Sequence, residues 1–212
     1  MVEWYGADPD KIVVIPPGVD TQGFHPHEQE EAKSRLGVKP CERMVLFVGR
    51  IEPLKGVDTL MRAMALLAYD CPTFVSNLCV AIIGGDPNTT ENEEMERLKA
   101  IRAELGIADF VTFLGAHDQD KLHHYYSAAE MVVMPSHYES FGMVALEAMA
   151  CGTPVIASEV GGLAHLVRDG ETGFHVPNGD PAALAKAMAR LVREPGLRDR
   201  LGQQAFRYAQ EY

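Results

Sequence analysis

At 212 residues the chain is long enough for one large α/β domain, or for one domain with a fragment of a second. Hydrophobic residues make up 47% and charged residues 23%, ordinary values for a globular protein, and the longest apolar runs fall well short of a membrane span. A net charge of −11 argues against nonspecific attraction to nucleic acid or anionic membranes, although it leaves room for a local basic pocket.

In chain order, Ile12 to Ile15 reads as a short strand followed by the turn Pro16-Pro17-Gly18. Gly23 to His27 reads as a linker, and Glu28 to Leu36 as a short polar helix ended by Gly37. Strands and helices then alternate. Met44 to Val48 is a strand and Val57 to Leu67 a helix; Leu78 to Ile83 is a strand and Glu93 to Leu105 a helix. Val111 to Leu114 and Met131 to Met134 are strands flanking a helix from Asp118 to Ala128. Val144 to Ala150 is a helix ended by Cys151-Gly152, Pro154 to Ala157 a strand, and Leu163 to Val167 a helical turn. Phe174 to Val176 is the last short strand, and Pro181 to Arg193 and Leu197 to Tyr212 are helices. Near-continuous apolar strands alternating with helices predict an α/β, doubly wound parallel sheet of Rossmann-like type. Ligands of such sheets bind beyond the carboxyl ends of the strands, so the strand-to-helix loops are where function is expected.

Two such loops carry chemistry. The first is Gly49-Arg50-Ile-Glu-Pro-Leu-Lys55-Gly56, between a strand and the helix opening at Val57. Glycine permits close backbone approach, Arg50 offers a planar fork for phosphate oxygens and Lys55 a point charge. The plainer alternative is a pair of surface cations. The second is Glu139-Ser-Phe-Gly-Met-Val-Ala-Leu-Glu147, where a polar loop becomes an apolar helix. The helix start presents backbone N–H groups that favour an anion. Glu139 lies just before it, and Glu147, one turn beyond Met143, is expected to reach the same pocket mouth, where a carboxylate can accept hydrogen bonds from a vicinal diol. Neither a Gly-x-x-x-x-Gly-Lys-Ser/Thr phosphate loop nor a Gly-x-Gly-x-x-Gly dinucleotide fingerprint is present.

Gly49-Arg50 with Lys55-Gly56, the Glu139 to Glu147 segment, Ala150-Cys-Gly-Thr-Pro-Val-Ile-Ala157 and Val160-Gly-Gly162 together resemble the C-terminal, donor-binding domain of retaining, sucrose-synthase-like (group 1) glycosyltransferases of GT-B architecture. Pro16-Pro-Gly-Val-Asp20 is similar to the family's segment crossing from its N-terminal domain. The resemblance implies catalytic roles for Glu139, Arg50 and Lys55, with the two cations neutralising the diphosphate of a nucleoside-diphosphate sugar and Glu139 facing the donor hexose. It implies that Glu147 holds the ribose, that Gly49, Phe141, Gly142, Met143 and Val144 supply close backbone contacts, and that Gly115-Ala116-His117 and Gly84-Gly85 lie toward the nucleobase. No cofactor and no metal are implied. Many members carry Pro-Glu after the paired glycines; here Leu163-Ala164-His165 follows, which weakens any donor contact assigned to that loop. On this reading residues 1–24 are a strand and linker at the edge of an N-terminal domain, and residues 25–212 are the nucleotide-sugar-binding domain. The acceptor would be bound by the missing N-terminal domain, so the isolated chain is expected to bind nucleotide and to catalyse little or nothing. The alternatives are a sugar-nucleotide epimerase of the same architecture and a noncatalytic nucleotide-binding domain.

Other residues read more plainly. Cys41, Cys71, Cys79 and Cys151 form no Cys-x-x-Cys pair and no leader precedes them, which suggests reduced thiols in a cytoplasmic protein. His123-His124 reads as a solvated helix face rather than a metal site, and His25 and His27 as linker residues. The acidic run Glu91 to Glu96 reads as a helix start, and the sequon Asn88-Thr-Thr90 as silent. Trp4 and Tyr5 either pack against a missing domain or form a loose end.

Overall fold

The computed structural model describes residues 2–13, 15–38, 43–70, 72, 76–88 and 91–212. Among them six strands form one sheet: β1 (Arg43–Val48), β2 (Leu78–Ile83), β3 (Val111–Gly115), β4 (Ala129–Met134), β5 (Val155–Ser158) and β6 (Gly173–Val176). Their spatial order is β3-β2-β1-β4-β5-β6, and every neighbouring pair is parallel. The chain winds outward from β1 to β3, returns to set β4 beside β1, and winds outward the other way. That reversal places the topological switch point between β1 and β4, where the loops leaving the two strands diverge and open a crevice.

The helices are α1 (Val2–Tyr5), α2 (Gln29–Leu36), α3 (Val57–Asp70), α4 (Glu93–Glu104), α5 (Gln119–Ala128), α6 (Met143–Ala150), α7 (Leu163–Leu166), α8 (Pro181–Arg193) and α9 (Pro195–Ala209), and those that pack on the sheet cover both its faces, while Trp4 and Tyr5 of α1 are exposed. Alternate strand residues enter opposite layers. Val45, Phe47, Val80, Ile82, Met131 and Val133 pack with α3, α4 and α8. Met44, Leu46, Ala81, Ile83, Val132 and Met134 pack with α5, α6 and the end of α9. Burying both faces explains why the strands read as unbroken apolar runs, and each fully buried Leu or Val contributes roughly 1.5–3 kcal/mol.

The helix starts follow local chemistry. Glu28 accepts from the Glu31 N–H at 2.8 Å ahead of α2, and Asn92 from the Met95 N–H at 3.1 Å ahead of α4. Glu93, Glu94 and Glu96 occupy the first turn of α4, where negative charge opposes the helix dipole.

The expected first strand differs. Ile12, Val13 and Ile15 join no ladder, Val13 and Ile15 are more than 80% exposed, and Val14 lies outside the described residues. A short 3-10 turn, Pro9–Lys11, precedes them. An apolar run makes a strand only where a ladder receives it, and the described residues of this segment pair with neither edge strand, β3 or β6. Phe24, by contrast, is buried among the residues of the α5–α6 layer. Cys41 and Cys71 and the threonines of the sequon also lie outside the described residues. Among the described residues no helix is long and apolar enough to cross a membrane.

Candidate functional site

The loop after β1 is shaped by Pro53, which opens a 3-10 turn (Pro53–Lys55), and by Gly56, which closes it at φ +63°. The turn delivers Lys55 inward. The loop after β4 meets it directly: the His137 N–H donates to the Leu54 carbonyl at 2.9 Å, and the position of a Cβ on Gly56 is taken by the Pro135 carbonyl. Farther along, the Gly162 N–H donates to the Glu139 carbonyl at 2.8 Å, which anchors the far side of the same loop.

These contacts enclose a groove of about 270 Å³ at the β1–β4 switch point, lined by Gly49, Arg50, Lys55, Ser136, Glu139, Ser140, Phe141, Gly142, Met143 and Val144 among others. Lys55 Nζ lies 2.6 Å from Glu139 Oε2, and both side chains are about 15% exposed. Gly142 is the N-cap of α6 and has no side chain with which to accept from the first-turn N–H groups. The groove therefore holds a cation, a carboxylate and a set of amide donors at one mouth. Ser136 and Ser140 were not singled out in the sequence; the signal for Ser136 is its place between a strand at the switch point and Glu139, and for Ser140 its place directly after Glu139.

Arg50 lines the same groove, but its guanidinium turns to Glu52 at 2.7 Å and its side chain is 76% exposed. Gly115 lies off the groove, at the tip of β3, where its carbonyl accepts from the Gly84 N–H at 2.8 Å. Gly84 in turn adopts φ +143°, and a Cβ there would collide with the Gly49 carbonyl. Gly49, Gly84 and Gly115 thus pack backbone to backbone as a shelf across three strand tips; Gly84 and Gly115 are buried, and of the three Gly49 lines the groove. His117 follows it, stacked on Tyr125 with an Nε2 to OH distance of 3.0 Å.

Glu147 departs from expectation. It does not line the groove mouth beside Met143 but is 7% exposed on the inner side of α6, facing α5. Its carboxylate accepts from the Tyr126 hydroxyl at 2.7 Å and from Gln119 Nε2 at 3.4 Å. The reason is physical: α6 is apolar nearly all round, and a buried carboxylate there needs donors, which only α5 supplies. Burial pushes its pKa up, and the bonds from Tyr126 and Gln119 only partly oppose this. Because the folded state holds the proton more tightly than the unfolded chain, this residue favours folding at acid pH. That contribution is lost as the pH rises from the ordinary carboxylate value through the raised folded one. Glu147→Gln, which keeps an acceptor for Tyr126, is therefore expected to melt above the unaltered chain at pH 8, with the gap closing as the pH falls below the ordinary carboxylate value. Paired thermal melts across that range check it; a gap that does not change with pH contradicts it. Next to Glu147, burial pushes the Cys151 thiol up to about 12, so it stays protonated and unreactive at neutral pH.

Two other hollows are lined by acids or by cations already paired. A wider one of about 720 Å³ is lined by Glu52, Glu91, Glu93 and Glu94 with Arg97. Another sits at the opposite end of the sheet around Glu130, which is 3% exposed and already paired with Lys33 and Arg198. His123 and His124 are not a solvated helix face: both are half-buried and meet His27, with ring centroids 4.8 and 4.9 Å away.

Residues 28–208 match the family described as glycosyl transferases group 1. The chain is 47% identical over its whole length to a D-inositol 3-phosphate glycosyltransferase from Acidothermus cellulolyticus, covering 47% of that protein. Among solved structures, a sucrose-phosphate synthase from Thermosynechococcus elongatus is 40% identical with a TM-score of 0.84, over 93% of this chain and 47% of that one. HepE from Anabaena, solved in complex with UDP and glucose, is 26% identical with a TM-score of 0.83, over 97% of this chain and 54% of that one. The chain spans about half the length of the curated relatives it matches. With its GT-B type of donor-domain fold and its match across most of its length, the chain belongs to the glycosyl transferases group 1 family.

Proposed function

We propose that this chain is the donor-binding half of a retaining glycosyltransferase that takes a nucleoside-diphosphate sugar. The observation that carries the reading is the meeting of Lys55 and Glu139 at 2.6 Å beside the uncapped start of α6, at the switch point of the sheet. In this reading the diphosphate lies against Lys55 and the α6 amides, with Arg50 swinging from Glu52 to join them. The anomeric carbon faces Glu139. As its bond to the diphosphate breaks, negative charge grows on the leaving oxygens and positive charge on the sugar ring. Preorganised donors and a cation on one side, and a carboxylate on the other, stabilise both developments without needing a metal. The shelf of Gly49, Gly84 and Gly115 lets a nucleoside approach the strand tips closely, and Glu147 takes the ribose hydroxyls by exchanging one of its contacts to α5.

The family supports transfer over epimerisation, and UDP and glucose in HepE support a uridine nucleotide as the first donor to test. One relative is named for D-inositol 3-phosphate and another for sucrose phosphate, although both share this half. In this reading acceptor choice belongs to an N-terminal domain, with residues 1–24 as its edge, and the isolated chain is expected to be inactive in transfer.

Melting the chain with UDP, GDP, ADP and their glucose conjugates tests the reading. A nucleotide present at a hundred times its dissociation constant stabilises by about 2.7 kcal/mol, and a domain of this size gains about 2–4 °C per kcal/mol. Glu147→Gln is expected to weaken the selected nucleoside diphosphate more than inorganic diphosphate. The absence of a shift with any nucleotide refutes donor binding, while equal losses for both ligands remove only the ribose contact.

A further inference from the structure

Among the described residues, a cluster of metal-ligating groups outside the groove is made of histidines. His25 and His27 come from the segment entering α2, and His123 and His124 from the middle of α5. The ring centroids of His123 and His124 are 4.0 Å apart, and those of His25 and His27 are 4.4 Å apart. His27, His123 and His124 each offer one ring nitrogen, and these nitrogens all lie within 4.8 Å of one another. Neighbouring residues on a helix point in different directions, so the two α5 rings do not form a site alone. His27, arriving from a separate segment, brings the third nitrogen to the edge between them.

Two further observations bear on a ligand. His27 Nε2 and His124 Nδ1 are both shut off from solvent and have no hydrogen-bond partner. Buried polar atoms are normally satisfied, and an orphaned pair in one cluster calls for an explanation such as an ion. Burial, followed by the neighbouring imidazoles, lowers the pKa of His27; burial is also the leading cause for His123 and His124.

We propose that His27, His123 and His124 form a binding site for one divalent late-transition ion, zinc by ligand class, which staples the segment entering the domain to α5. Three imidazoles without thiolate or carboxylate suit zinc, nickel or copper rather than magnesium or calcium, which prefer oxygen. The nearby acids are occupied or on the outside: Glu31 is paired with Arg35 at 2.8 Å, and Asp120 lies one turn before His124. At a zinc–nitrogen bond of about 2.0–2.1 Å, tetrahedral nitrogens stand about 3.4 Å apart. Side-chain rotation of half-buried rings closes the remaining gap of no more than about 1.4 Å. The fourth position goes to water or to His25, whose ring centroid is 6.4 Å from that of His123. The staple is structural in kind. It also bears on the helix whose Gln119 and Tyr126 hold Glu147.

The test is zinc titration of the chelator-treated chain by calorimetry, with cobalt as a spectroscopic probe. One ion per chain is expected, with a cobalt spectrum of nitrogen ligation and no thiolate bands. His27→Gln and His124→Gln should each weaken zinc at least about tenfold, the lower end of what losing even an outer-shell partner costs. His165→Gln, on an exposed residue elsewhere, should not. On the unaltered chain, zinc should also protect His27, His123 and His124 from diethyl pyrocarbonate, read by peptide mass, so the answer does not depend on how a variant folds. Absence of one-to-one binding, thiolate bands in the cobalt spectrum, affinity unchanged in both variants, or undiminished modification of the three histidines would each overturn the site.

Discussion

Lys55→Ala is expected to weaken binding of a nucleoside diphosphate by roughly ten- to a hundredfold, the equivalent of about 1.5–3 kcal/mol for a charge-assisted hydrogen bond. Two effects add. The ammonium that meets the phosphate oxygens is removed, and the Glu139 carboxylate, only 15% exposed, loses its partner at 2.6 Å and turns its charge on the incoming anion. Arg50→Ala should cost less, because the guanidinium is mostly in water, already engaged with Glu52, and screened by salt. The Arg50 contribution is accordingly expected to shrink at high ionic strength while that of Lys55 persists. Glu139→Gln frees Lys55 from its internal partner, so nucleotide affinity should hold or improve even as transfer by the full-length protein falls. Titration calorimetry on the three variants at two salt concentrations decides the matter; a Lys55→Ala affinity equal to that of the unaltered chain would sink the phosphate assignment.

Gly56→Ala should damage stability and binding together. At φ +63° a side chain is strained by about 1–3 kcal/mol, and here the Cβ would also run into the Pro135 carbonyl. Relief requires the two loops to part, which breaks the His137 to Leu54 hydrogen bond and displaces Lys55 from Glu139. At about 2–4 °C per kcal/mol the melting temperature should fall by several degrees, and nucleotide affinity should fall with it. Gly37→Ala is the control: its φ is +69°, but nothing lies within 4 Å of the added carbon, and it caps α2 and does not line the groove. That variant should lose stability and keep its affinity. A Gly56→Ala protein that melts and binds like the original would show that the loops are not locked together at this point.

The alternation of buried strands and helices was legible because a sheet covered on both faces demands unbroken apolar runs. The bounds of β2 and α8 are those read from the residues alone. The meeting of Lys55 with Glu139 was also legible, since both loops leave carboxyl ends of strands. What the sequence did not reveal depends on partners distant in the chain. Helical spacing placed Glu147 on the face of Met143, but spacing says nothing of Tyr126 and Gln119, which draw the carboxylate inward from another helix. The same blindness applied to His123-His124, whose third companion stands almost a hundred residues earlier. Arg50 is a different case, since its competitor Glu52 stands only two residues away and was in plain view. Ile12, Val13 and Ile15 differ for the opposite reason: the local pattern was present, but the described residues pair with neither edge of the sheet.

The packing of Gly49, Gly84 and Gly115 has a consequence for how the groove can be altered. A Cβ on Gly84 would run into the Gly49 carbonyl, and one on Gly115 would press on Pro87, so a side chain at either place forces the strand tips apart before it can meet a ligand. Changes in selectivity are therefore left to half-buried neighbours of these tips, such as Pro87 and His117.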